Sequence, residues 1–303
     1  MMRLDWRVTY LRKLFQIAIS VQSNTMKQQL AAALASVILL AAPVAGHGAL
    51  VGIGFGGSVY SINETTGAGA LLGSSGFGAT NSMARHSAGT LYSATPASLI
   101  TINPVTGAGT LAPALSGFGA EGLSIRGLAF SSAGVLYAVN NGGSPGDTTT
   151  NDLLYTINAS TGAMTLIGTM AFAGVQALAF SSGSTLYGFD GSGGGLITIN
   201  PLTAAATDVN PAIGGSGNDI QTIAFSSGGT LYGGRDNLFT IDLTTGASTL
   251  VGGGSGGTFV DVRGMEFLAA ADPVPVPVPE PGTLALLGIG VVGLGFCRRK
   301  RTS

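Results

Sequence analysis

Three features of the chain predict an all-β body, a five-bladed β-propeller of four-stranded blades closed by a C-terminal strand. A Leu-Ala-Phe-Ser-Ser motif, a glycine turn and Leu-Tyr recur along it. Each copy leads into an alternating strand that ends in Asn or Asp and a Thr-Gly type of turn. The final copy is followed by a lone strand of the kind that the first copy lacks.

The motif runs from Leu128 to Tyr137, from Leu178 to Tyr187 and, as Ile-Ala-Phe, from Ile223 to Tyr232, with a weaker copy from Met83 to Tyr92. The strand that follows is read at Leu99 to Gly107, Leu154 to Gly162, Leu196 to Ala204 and Leu238 to Gly246, and a fifth copy, Val59 to Gly67, opens the series. Its anchor isoleucines, Ile62, Ile102, Ile157, Ile199 and Ile241, are 40, 55, 42 and 42 residues apart. Such a period marks propeller blades or other stacked units. Period-2 alternation, β-branched and aromatic residues and Asn/Asp/Thr-Gly turns predict strands throughout, with no helical periodicity.

Four strands per repeat result, the fourth exemplified by Ser248 to Val251. The first copy, from Leu50, lacks its leading strand, and Gly264-Met-Glu-Phe267 stands alone after the last. Joining the two, through residues near Arg263 to Leu268, shuts the ring and removes two exposed strand edges. The expectation is that Met265 and Phe267 pair in the first blade, beside the Val59 strand. An open solenoid or a sandwich is the alternative that short strands and glycine turns also allow.

In every repeat the links between strands 1 and 2 and between strands 3 and 4 are short, as tight hairpins are. The other two links vary in length, and up-and-down order puts them on one face of the ring. They carry Glu121, Asp147, Asp152, Asp190, Asp208, Asp219, Asp236 and Asp261. Loops on a rigid scaffold commonly carry function, so Asp147, Asp152, Asp190 and Asp236 are candidates for a ligand or calcium face. The insertion Asn140 to Asp152 accounts for the 55-residue spacing and offers Asp and Asn oxygens with glycine turns. A hard cation such as Ca²⁺ takes six to eight oxygens of this kind, although the spacing matches no EF-hand. Solvation of long loops in a glycine-rich chain is the plainer reading of the same acids.

Composition narrows the function. The 303 residues are 45% hydrophobic and 9% charged, with 50 glycines, too apolar for a disordered chain. Between residues 47 and 278 there are four arginines, no lysine and twelve acids, a net charge of −8. Nucleic acid as a partner is excluded, because phosphate neutralisation needs the opposite sign. The single cysteine, Cys297, leaves the body without a thiol nucleophile or thiolate metal site. His47 and His86 are its histidines, and no Gly-x-Ser-x-Gly elbow accompanies them. Gly52 to Gly57 matches no complete dinucleotide fingerprint. No catalytic residue and no cofactor are therefore assigned, and the chain reads as a non-enzyme.

Both ends read as export signals. Met26-Lys27 followed by the apolar Leu30 to Ala42 and by Pro43-Val-Ala-Gly46 has the three regions of a secretory signal peptide, with cleavage expected near Ala45 or Gly46. Residues 1–25 read as an over-extended N-terminus before a true start at Met26; peptide mapping of the precursor that found anything upstream would remove this reading. The body spans 47–271 and a Pro/Val spacer 272–278. Residues 279–303 hold Pro279-Glu280-Pro281, an apolar run from Thr283 to Phe296 and the basic stop Arg298, Arg299, Lys300 and Arg301. That run is shorter than the ~20 residues that comfortably span a bilayer, as expected of a temporary transmembrane hold.

This tail resembles the PEP-CTERM sorting signal. The resemblance covers only the last two dozen or so residues. It implies passage through the Sec translocon, an intermediate in the inner membrane of a Gram-negative bacterium and processing by an exosortase that recognises Pro279, Glu280 and Pro281. The cell surface or the exopolysaccharide matrix would follow as destination. The expected function is a structural or interaction component of a surface layer or biofilm matrix. A lectin-like module that binds glycan or Ca²⁺ through the variable-loop face is the rival, and a carboxylate-dependent polysaccharide-active enzyme the third reading.

Overall fold

The computed structural model describes residues 49–119, 124–142, 149–213, 219–253 and 258–269. These residues form twenty strands in five four-stranded antiparallel sheets, and among them there is no helix. Blade 1 contains β1 (Leu50–Gly54), β2 (Ser58–Ile62) and β3 (Gly69–Ser74). Blade 2 is β4 (Asn81–Arg85), β5 (Leu91–Ala94), β6 (Ser98–Ile102) and β7 (Gly109–Ala114). Blade 3 is β8 (Ile125–Phe130), β9 (Leu136–Asn140), β10 (Leu153–Ile157) and β11 (Met164–Thr169). Blade 4 is β12 (Val175–Phe180), β13 (Leu186–Asp190), β14 (Gly195–Ile199) and β15 (Ala206–Asp208). Blade 5 is β16 (Thr222–Phe225), β17 (Leu231–Gly234), β18 (Leu238–Ile241) and β19 (Ser248–Leu250). The last strand, β20 (Val262–Phe267), joins blade 1 in the order β20-β1-β2-β3.

The ring is closed as the repeat pattern predicts, with one correction. β20 lies beside β1 and not directly beside the Val59 strand: Gly52 faces Met265 and Leu50 faces Phe267, while Val59 sits one strand further out, opposite Ile53. The Leu50 segment is the second strand of its blade, so the missing first strand can pair only there.

The inner strands β4, β8, β12, β16 and β20 pack on one another around the axis. Five apolar clusters fill the spaces between neighbouring blades, one to each junction. Each anchor isoleucine sits in one of them, with Ile62 5% exposed and Ile102, Ile157, Ile199 and Ile241 4%. Burial of such a side chain contributes about 1.5–3 kcal/mol. Four junctions also repeat an aromatic pair, Tyr92–Phe130, Tyr137–Phe180, Tyr187–Phe225 and Tyr232–Phe267, at centroid separations of 5.6, 5.3, 5.5 and 5.4 Å. This explains why Leu-Ala-Phe and Leu-Tyr recur together: the Phe of one blade stacks on the Tyr of the preceding one. At the fifth junction the register puts Val51 and Arg85 in those places.

The turns between strands 3 and 4 have a common construction. The side-chain oxygen of Asn63, Asn103, Asn158, Asn200 or Asp242 accepts backbone N–H groups two or three residues on. The residue closing each turn has positive φ, as at Gly162 (φ 74°), and this favours glycine. Gly162 also nests on blade 2, where a Cβ would lie 1.9 Å from the Ala114 carbonyl oxygen.

Candidate functional site

The acidic loop face is where the sequence places its candidate ligand residues, and the described ones are held by the chain's own donors. Asp152 is fully buried just before β10. Its Oδ2 accepts the Val175 N–H at 2.8 Å and its Oδ1 the Gly142 N–H at 3.3 Å, so it fastens the long blade 3 loop to the start of β12. Asp190 ends β13 and is 3% exposed. Its oxygens accept from Ser192 N–H, Ser192 O–H and Gly194 N–H at 2.9, 2.6 and 2.8 Å, closing the loop between β13 and β14. Val175 pairs with Asp190 and donates to Asp152, so these two carboxylates flank one strand end.

Burial raises the Asp152 carboxyl to about 6, against its backbone donors and Arg126, and the Asp190 charge adds to the rise. Low dielectric disfavours the charged form, and here it outweighs two hydrogen bonds.

Asp236 lies elsewhere, at the seam between blades 5 and 1. Its Oδ1 accepts the Asp261 N–H at 2.6 Å. Asp261 in turn accepts Nε–H from both Arg235 and Arg263 at 2.7 Å, and Arg235 Nη1 donates to Asp219 at 3.1 Å. Arg263 stacks on Phe55, its guanidinium 5.1 Å from the ring centroid. The Arg235 carbonyl accepts the Val262 N–H at 3.0 Å, and the Asp261 carbonyl accepts the Phe55 N–H at 2.9 Å. The cluster thus clasps the entry to β20 to blades 5 and 1. Burial would raise Asp261, but hydrogen bonds from Arg263 and Arg235 bring it below the ordinary carboxylate range. The Asp261 and Asp219 bonds raise Arg235 above its ordinary value.

Among the described residues no group of three or more His, Cys, Asp or Glu side chains could hold a metal ion. Asp147 lies outside the described residues, as do Pro279, Glu280, Pro281, Arg298, Arg299, Lys300, Arg301, the signal peptide and the apolar tail. Among the described residues no helix is long and apolar enough to cross a membrane.

The opposite, hairpin face holds two concavities. One, of about 130 Å³, lies at the end of the axis between Arg85, Glu266 and the rings of Phe130, Phe180, Phe225 and Phe267. Glu266 stands where the other inner strands have Ala84, Ala129, Ala179 and Ala224, and Arg85 where they have Phe. Burial raises the Glu266 carboxyl to about 7 despite backbone donors at Phe267 and Arg85 and the Arg85 charge. The residue is half-buried at the edge of this concavity.

The second is a groove of about 650 Å³ between blades 2 and 3, lined by His86, Tyr92, Phe130 and the Asn158–Gly162 turn among others, with no carboxylate. His86 is a turn residue: its Nδ1 accepts the Ala88 N–H at 3.1 Å, and its ring meets Phe130 edge-on at 5.0 Å.

The arginines carry structure that their number in the sequence does not announce: Arg235 and Arg263 complete the seam, and Arg126 bridges blades through Gln176 Oε1 at 2.8 Å. Arg126 and Arg263 occupy the same position of the repeat.

Comparison with known proteins bears on the tail and the fold. The PEP-CTERM protein-sorting motif matches residues 277–301. The chain carries this motif, which implies an exported protein processed at the membrane by an exosortase. No curated protein matches the chain. Among solved structures it is similar to a symmetrical protein whose de novo evolutionary emergence is shaped by folding constraints, at 17% identity over 76% of this chain and 100% of that one, with a TM-score of 0.43. It is also similar to a gluconolactonase of Xanthomonas campestris, at 14% identity over 70% and 82% of the two chains, with a TM-score of 0.45. Likeness at this level carries no argument about chemistry.

Proposed function

We propose that the protein is a non-catalytic structural or interaction component of a bacterial surface layer or biofilm matrix, its propeller delivered there by the sorting tail. The observation that carries this reading is the sorting motif at residues 277–301 behind a complete propeller. The loop-face carboxylates support it, because Asp152, Asp190, Asp236 and Asp261 fasten loops and the seam.

In this reading Glu280, between Pro279 and Pro281, is read by the exosortase. Arg298 to Arg301 resist passage across the inner membrane, since clustered positive charge stays on the cytoplasmic side. The Pro/Val run at 272–278 is the spacer between ring and membrane.

The test is fractionation of producing cells that express the wild type or Glu280→Ala, with mass spectrometry of the mature C-terminus. The expected outcome is a shortened, surface- or matrix-associated wild type and a membrane-retained variant with an intact tail. Intact tails and equal membrane retention in both would remove the sorting claim. A processed wild type found only in the periplasm would remove the surface role.

A further inference from the structure

Four of the five inner strands place a polar residue in a common layer at the loop-face end of the axis. Registering them on their second strands, with Phe130 opposite Leu136, Phe180 opposite Leu186, Phe225 opposite Leu231 and Phe267 opposite Leu50, aligns Arg126, Gln176, Gln221 and Arg263. In blade 2 a bulge between Asn81 and Ala84 breaks the alignment, and Asn81 faces Ala94 where blade 3 has Gly127 facing Val139. The residues after the polar four, Gly127, Ala177, Thr222 and Gly264, are small, and those next, Leu128, Leu178, Ile223 and Met265, are apolar. The ring is thus polar at its mouth and apolar directly beneath.

The hydrogen bonding of the layer is incomplete. Arg126 Nη1 donates to Gln176, but Arg126 Nε is buried and has no partner; Gln221 Oε1 is likewise buried and unpartnered. A buried donor left unmade costs about 1–3 kcal/mol, more when charged. Arg126 and Arg263 border the same axial gap, which is closed by Ser82, Gly127 and Thr222 and too tight to admit a water molecule. Asp261 is shared between Arg263 and Arg235, and Asp152, the carboxylate that acts on Arg126, is held by backbone N–H groups and makes no ion pair with it. Two guanidinium groups with free N–H positions, facing one axis from two blades, suit an acceptor that carries negative charge and several oxygens. A half-turn of the Gln221 amide converts its unpaired acceptor into an N–H₂ donor aimed at the same place.

We propose that this layer is a binding site for a small oxyanion, a carboxylate, sulfate or phosphate group, held at the mouth of the axis by Arg126 and Arg263 with Gln176 and Gln221 as further partners. The site is separate from the sorting tail and does not rest on the matrix role, so failure of either leaves the other standing. The gap beneath the layer is closed, which confines the anion to the mouth.

The test is titration of the full chain, purified in detergent, with acetate, glucuronate, sulfate and phosphate at constant ionic strength in chloride, with glucose as the neutral control. Calorimetry and thermal unfolding are the readouts. At least one oxyanion is expected to bind saturably and raise the unfolding temperature, and its identity separates a carboxylated from a sulfated or phosphorylated ligand. Arg126→Met is expected to weaken that binding about tenfold or more, Arg126→Lys less, and Arg85→Met, at the far end of the axis, not at all. No response of the wild type to any of the four oxyanions overturns the proposal, even if Arg126→Met fails to fold. So does equal affinity in wild type and Arg126→Met, or a glucose response equal to that of glucuronate.

Discussion

At the scale of single residues, two positions show how the repeat is used and where it is broken. Gly162 closes a turn at φ 74° with a neighbouring carbonyl where its Cβ would be, whereas Gly229, at φ 83°, has open space around it. An L-residue in the left-handed region costs roughly 1–2 kcal/mol, and overpacking against backbone adds about 1–3 kcal/mol. Gly162→Ala is therefore expected to lose about 2–5 kcal/mol in urea unfolding and Gly229→Ala about 1–2 kcal/mol; equal losses would contradict the nesting of turn on blade. Glu266 is the second case. Its carboxyl is raised by burial from 4.5 to about 7, with Arg85 as the charge facing it. Between those pH values the folded chain holds a proton that the unfolded chain has released, so stability falls as pH rises through this window. Asp152 acts in the same direction between 3.8 and about 6. Glu266→Gln should flatten the stability profile between pH 4.5 and about 7, measured by urea unfolding at each pH; an unchanged slope would show that the carboxyl is solvated.

At the scale of elements, the seam is the least repetitive part of the ring. Asp261, Arg235, Arg263, Asp219 and Asp236 tie the entry of β20 to two blades, with Asp261 itself at φ 48°. These side chains are partly exposed, so each ion pair contributes only about 0–1 kcal/mol, but Asp261 anchors two at once. Asp261→Ala should raise amide exchange in β20 and β1 while leaving β8 to β11 unchanged; uniform loosening of all blades would contradict a local clasp. The seam was only half legible in the sequence. The lone Gly264 to Phe267 strand announced that the ring closes, because its composition matches the inner strands. Its neighbour could not be read, since alternation alone does not number strands within a blade. Loop carboxylates were located on one face for a sound topological reason. Whether they point to solvent or back to the chain depends on local φ/ψ and on residues far apart in sequence, such as Asp152 with Val175 and Asp236 with Asp261.

At the scale of the whole molecule, repeat spacing was sufficient to count blades, because every junction buries the same Ile position and four of the five pair the same Phe and Tyr positions. Charge is arranged on a second pattern that spacing does not reveal: arginines near the axis, acids fastening loops around it, and a basic cluster in the sorting tail. The described residues end just after the strand that closes the ring. The architecture depends on that closure. Hydrogen exchange of the full chain, read by mass spectrometry, measures it most directly. Amides of Val262–Phe267 should be protected to the same degree as those of the inner strands β8 and β12. Rapid exchange of Val262–Phe267 and of Leu50–Gly54, while β8 and β12 stay protected, would mean an open array and would contradict the account.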